Sequence, residues 1–156
     1  MPRPLPSFQK MWKHYPDEKD PVKVKKLIGG KVNYPWITNT CTIRLSRAFN
    51  YAGDPIRKGY AGLNAVSGAD RKWYAFRVRE LEKYLRAMYG DPQVEEVAGD
   101  ANKLRAAVKG YRGVIQFNVR GWSDATGHLD IWDGTKVRFS EYFSQADGVN
   151  LWRFPG

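Results

Sequence analysis

Residues 38–53, Thr38-Asn39-Thr40-Cys41 and onward to Gly53 (TNTCTIRLSRAFNYAG), decide how this chain is read. The apolar positions Cys41, Leu45, Ala48, Phe49 and Ala52 recur at i, i+4, i+7, i+8 and i+11, one face of an α-helix. Thr38 or Asn39 is a candidate N-cap, and Gly53 stands where such a helix would stop. The chain's one cysteine therefore falls at a helix start. Unpaired N–H groups and the positive end of the helix dipole favour a thiolate there, against a thiol pKa of about 8.5 in model peptides. Thr38, Asn39 and Thr40 are small and polar, so no bulk walls off the sulfur. The Cys41 backbone N–H is a natural oxyanion donor. The competing reading is a buried structural cysteine, the commoner state of a free thiol.

Working outward, prolines at 2, 4, 6, 16, 21 and 35 and the Gly29-Gly30 pair predict irregular chain over residues 1–35. Downstream, Tyr74, Val78, Leu81, Leu85 and Met88 alternate in steps of four and three before Gly90, with Ser67 and Asp70 as caps. A third, shorter helix is expected from Asn102 to Lys109, behind Asp100. Then the period changes. Val114 to Arg120 and Gly127 to Trp132 read as strands, and Asp133-Gly134 as a hairpin turn into a returning strand, Lys136 to Phe143. N-terminal helices packed on a C-terminal antiparallel sheet make the class α+β.

With 156 residues and no repeat or linker, residues 1–156 are expected to form one domain. Hydrophobic residues at 42% and charged residues at 27% exclude a disordered chain. No apolar run approaches the ~18 residues of a membrane span, so no membrane insertion is expected. The opening MPRPLPS has no signal-peptide character, so synthesis in the cytoplasm is expected. A lone cysteine excludes an internal disulfide and a multi-thiolate site, and nothing calls for a metal or a cofactor.

The formal net charge of +10 attracts polyanions: nucleic acid, an anionic lipid surface or an acidic cell-wall polymer. A nucleic-acid-binding module is the rival this charge raises. Its aromatics are dispersed, however, and no zinc spacing or recognition helix is present. Arg120, Lys136 and Arg138 are too few for a strand platform, and Lys23, Lys25 and Lys26 read as solvated surface.

His128 is the candidate general base. It follows the loop 121–126 and a glycine and opens a strand, where its imidazole can face a helix start packed against the sheet edge. Papain-like hydrolases pair a base with a cysteine in this way. His14, in the basic N-terminal segment, reads as a surface residue. Asp130 lies two residues beyond His128, on the same strand face, and is the first choice to orient the ring. Phe139, across the predicted hairpin, cannot accept a hydrogen bond. A slip of one residue would bring Ser140 there, and Asp124 in the preceding loop is a further candidate. An inactive interaction domain on a hydrolase scaffold is the second rival.

Two separated motifs then carry a resemblance. Asn39, Cys41, Arg44, Ser46, Ala48 and Asn50 fit N-x-C-x-x-R-x-S-x-A-x-N, and Gly127, His128, Trp132 and Gly134 fit G-H-x-x-x-W-x-G. With Tyr142-Phe143 and the closing Leu151-Trp152, the chain resembles the family-four amidase effectors of bacterial type VI secretion over nearly its whole length. The resemblance implies a papain-like, NlpC-type fold with Cys41 as nucleophile and His128 as base. It implies cleavage of the D-glutamate to meso-diaminopimelate amide of peptidoglycan stem peptides in a rival's periplasm, with neither nucleic acid nor cofactor required. Its partners would be the type VI secretion apparatus and a cognate immunity protein. The family's third catalytic residue, usually an aspartate on the strand after the histidine, falls here on Phe139.

Overall fold

In the computed structural model, which describes residues 2–119 and 127–155, four strands form one antiparallel sheet. They are β3 (Val94–Val97), β4 (Gly113–Asn118), β5 (Gly127–Trp132) and β6 (Gly148–Arg153), in the spatial order β3-β6-β4-β5. A separate hairpin pairs β1 (Ala65–Ser67) with β2 (Trp73–Ala75). The helices are α1 (Phe8–His14), α2 (Pro21–Ile28), α3 (Cys41–Tyr51), α4 (Val78–Tyr89) and α5 (Ala101–Val108). Residues of α1, α3 and α4 share one core with Val114, Leu129, Ile131 and Trp152 of the sheet. Leu104 and Val108 of α5 share another with Ile115, Phe117, Trp132, Val149 and Leu151. Neighbouring residues along each strand thus enter different cores, as the two-residue repeat of a strand requires.

α3 is buried on nearly every face, and its polar side chains are paired to make that tolerable. The Arg44 guanidinium is fully buried. It donates through Nε to Thr40 Oγ1 at 3.2 Å, and through its two terminal nitrogens to the backbone carbonyls of Glu18 and Lys19. Ser46 Oγ accepts the Ala75 N–H at 3.0 Å. Asn50 donates to the Trp73 carbonyl at 2.8 Å and accepts the Ile56 N–H at 2.9 Å. Three residues of the first motif therefore tie the central helix to the N-terminal segment and to β2.

The N-terminal 35 residues are not irregular. Pro21 occupies the first turn of α2, where a missing N–H costs nothing, behind the N-cap Asp20. Ser7 caps α1, which buries Met11. The prolines start and flank helices here as well as breaking the chain. The predicted second helix begins only at Val78, because residues 73–75 pair with residues 65–67 as a hairpin. β3 and β6 join the sheet in addition to the two expected strands, and the returning strand at 136–143 does not form.

Candidate active site

β5 is an edge strand, and α3 packs against it. This brings the start of one element to the start of the other. Gly127 lets β5 begin in close register with β4: at φ +150°, a Cβ there would meet the Phe117 carbonyl oxygen at 1.8 Å. No other residue fits, which explains the glycine before His128 in the second motif.

Cys41 is 2% exposed and sits at the first position of α3. Thr40 occupies the N-cap position without a side-chain cap, while Asn39 Oδ1 accepts the Cys41 N–H at 3.1 Å. The donor expected to face an oxyanion is thus held by the Asn39 amide in this state. The Cys41 side chain lies beside the His128 imidazole and helps to hold its proton. On the other side of the ring, His128 Nε2 lies 2.7 Å from Asp130 Oδ2, which leaves Nδ1 for the sulfur.

Asp130 is completely buried. Its Oδ1 accepts the N–H groups of Ile131 (2.8 Å) and Phe139 (3.1 Å), and its Oδ2 accepts that of Ser140 at 2.9 Å. This is why residues 136–143 fail to pair as a strand. After one bridge between Trp132 and Val137, and one bond from the Arg138 N–H to the Ile131 carbonyl, the next two N–H groups turn to the carboxylate. Phe139 and Ser140 do lie beside the His128–Asp130 pair, but they contribute backbone donors. Asp124 lies outside the described residues.

The imidazole is walled by aromatic rings, with Tyr142 at 4.9 Å, Phe139 at 6.1 Å and Phe117 at 6.2 Å between centroids. Burial is the largest single influence on the ring and opposes its protonation. The hydrogen bonds to Asp130 and Cys41 and the charges of those two groups outweigh it together, pushing the His128 pKa up to about 10. Phe139 is held from behind by the Arg44 guanidinium, 4.0 Å from its centroid. Lys19 Nζ binds the carbonyls of Arg138 and Phe139 at 2.9 and 3.2 Å. Arg138 in turn reaches Asp17 and the Tyr15 carbonyl. The N-terminal segment thereby straps the 138–140 turn onto Asp130.

Tyr15 escaped the sequence reading altogether. It is 2% exposed, and its hydroxyl has no hydrogen-bond partner among the described residues. Burial first, then the nearby charges of Asp130 and Cys41, raise its pKa well above the usual phenol range. It is a protonated donor beside the site, and only its aromatic character was visible in the sequence. Among the described residues, no group of three or more His, Cys, Asp or Glu side chains could hold a metal ion. Two clefts of about 270 and 450 Å³ lie around residues 3–5, 8–9, 110–112 and 152–155 and contain neither Cys41 nor His128. The grouping of thiol, imidazole and carboxylate marks the site.

A family model described as type VI secretion system amidase effector protein 4 matches residues 37–152, a span that contains Cys41, His128 and Asp130. Among solved structures, the chain is similar to the effector Tae4 from Salmonella typhimurium in complex with the immunity Tai4 from Enterobacter cloacae. The TM-score is 0.87 at 28% identity, covering 96% of this chain and 99% of that one. It is likewise similar to the type VI effector Tae4 from Enterobacter cloacae, at TM-score 0.85 and 28% identity, covering 99% of this chain and all of that one. A search of curated proteins finds no match.

Proposed function

Because this chain belongs to the type VI secretion amidase effector 4 family, with its papain-like, NlpC-type α+β fold, we propose that Cys41, His128 and Asp130 are its catalytic triad. The family's amidase activity on peptidoglycan is the frame. Within it, the scissile bond is the D-glutamate to meso-diaminopimelate amide of the stem peptide. The observation that carries this reading is the buried chain from Cys41 to His128 to Asp130, with three backbone N–H groups fixing the carboxylate.

The reaction follows from where the protons sit. With the imidazole protonated up to about pH 10, His128 carries the proton that the leaving amine needs, and the sulfur attacks as the thiolate. Cys41 Sγ attacks the amide carbon, forming an S–C bond and an oxyanion. The Cys41 N–H exchanges Asn39 Oδ1 for that oxygen. His128 then donates its proton to the leaving amine of diaminopimelate, the C–N bond breaks, and a thioester remains. Water gives a proton back to His128 and its oxygen to the acyl carbon. The thiolate is expelled, restoring its pairing with the imidazolium, and the glutamyl acid leaves and gives its proton to solvent. Asp130 holds the ring in register throughout.

The protein would travel through the type VI secretion apparatus, act in the periplasm of a target bacterium, and be restrained in its producer by an immunity protein. The similar Salmonella effector is seen bound to the immunity Tai4. Among the described residues no helix is long and apolar enough to cross a membrane.

The test is digestion of purified muropeptides by the wild type and by Cys41→Ala, with products identified by mass. Wild type should release fragments with a new diaminopimelate amine, and Cys41→Ala should release none. Equal products from both proteins, or none from either, would overturn the assignment.

A further inference from the structure

Residues 34–37 (Tyr-Pro-Trp-Ile) make a tight turn closed by the Ile37 N–H on the Tyr34 carbonyl at 3.1 Å, with Pro35 at its corner. The Lys25 ammonium clamps the same turn, binding the carbonyls of Tyr34 (2.8 Å) and Ile37 (2.6 Å). Ile37 anchors it in a core with Val24, Ile28 and Tyr74. This rigid mount faces two large rings outward, with Tyr34 41% and Trp36 56% exposed. They lie 6.1 Å apart, and Trp36 meets Phe76 edge to face at 5.1 Å. The Arg77 guanidinium closes the row, 4.9 Å from the Phe76 centroid. Single exposed apolar residues are ordinary, but a contiguous row of rings on a pinned turn is a built surface.

We propose that Tyr34, Trp36 and Phe76, with Arg77 at their end, dock the glycan strand of peptidoglycan so that the attached stem peptide reaches Cys41. The inference rests on the peptidoglycan amidase reading and adds to it the part of the polymer that is gripped outside the peptide. Pyranose rings carry an apolar C–H face and a polar rim, so they stack on aromatic faces while their hydroxyls stay in water. Reach agrees. Trp36 lies five residues before Cys41, so the two are at most about 17 Å apart along the chain. A lactyl group, an alanine and the glutamate separate the sugar from the scissile bond, about three residue lengths or ~10 Å. Of the residues between Trp36 and Cys41, Thr38 and Asn39 are exposed, while Ile37 and Thr40 are buried. The net positive charge holds the same polymer by its carboxylates.

The experiment separates binding from turnover. In a Cys41→Ala background, co-sedimentation with purified sacculi should show at least fivefold weaker binding for Trp36→Ala and Tyr34→Ala, with Trp36→Phe recovering most of it. In the active protein, Trp36→Ala should lower kcat/KM at least fivefold more on disaccharide-linked stem peptide than on the same stem peptide without sugar. Unchanged sacculus binding overturns the proposal, as expected if the rings serve a protein partner instead. So does an equal loss on both substrates. If Cys41→Ala still hydrolyses, the amidase assignment fails while the binding result stands. A missing Trp36 effect on an enzyme that depends on Cys41 removes only the platform.

Discussion

Asp130 accepts four donors with two oxygens: Ile131 and Phe139 N–H on Oδ1, Ser140 N–H and His128 Nε2 on Oδ2. An amide is the same size but carries its own N–H groups on one side. In Asp130→Asn, either pair of native donors must face another donor, and each buried group left unpaired costs about 1–3 kcal/mol. The charge that helps hold the His128 proton is removed as well. The His128 pKa of about 10 is a raised one, so the proton needed by the leaving amine persists to the alkaline side and is lost as pH rises through that value. Wild-type kcat/KM should therefore fall on the alkaline side only near pH 10. Asp130→Asn should bring that limb to lower pH and lower kcat about 100-fold, the scale of impaired acid–base catalysis. A pH–rate profile in which the alkaline limb stays put would show that Asp130 does not tune the ring.

At the scale of elements, the turn after β5 answers the question left by the hairpin signal. Phe139 and Ser140 support the site with main-chain N–H groups, so their side chains should matter less than their backbones. Ser140→Ala should keep activity within about twofold, because its N–H to Asp130 Oδ2 survives. Ser140→Pro removes that donor and should lower kcat at least tenfold, with stability falling by the ~1–3 kcal/mol of an unmet buried acceptor. Loss of activity in Ser140→Ala would show that the hydroxyl orients the imidazole. α3 was legible because its apolar repeat is unbroken and its nucleophile lies at one end. β5 was legible because Gly127 to Trp132 is bounded by turn residues. The turn at 138–140 was not, since a side-chain carboxylate competing for backbone donors leaves no mark on hydrophobic periodicity. Nor was β3, whose sequence VEEV breaks the two-residue apolar repeat and pairs only as an edge. The N-terminal helices were hidden by prolines that start a helix as readily as they end one. Asp130 was visible for a purely local reason: two residues on a strand share a face.

Over the whole molecule, the excess of Lys and Arg is spread across elements, with few of these charges committed to the site. Arg44, Lys19 and Arg138 are spent internally on the strap that holds the 138–140 turn, while Lys23, Lys26 and Lys31 remain exposed. Such a distributed field acts over a Debye length, about 10 Å at 0.1 M salt, and so works on encounter with a polyanion before any specific contact forms. Chemistry at Cys41 occurs in a buried pair that salt screens poorly. The two contributions should separate in kinetics on intact sacculi. Raising NaCl from about 50 to about 300 mM should lower kcat/KM roughly tenfold through weaker capture, the low end of electrostatic steering effects. The same change should leave kcat at saturating substrate nearly constant. Soluble stem peptide, with few charges per molecule, should show a much shallower dependence. If kcat falls in parallel with kcat/KM, salt is reaching the imidazolium pair itself, and the separation of a capturing surface from a sheltered reaction centre does not hold.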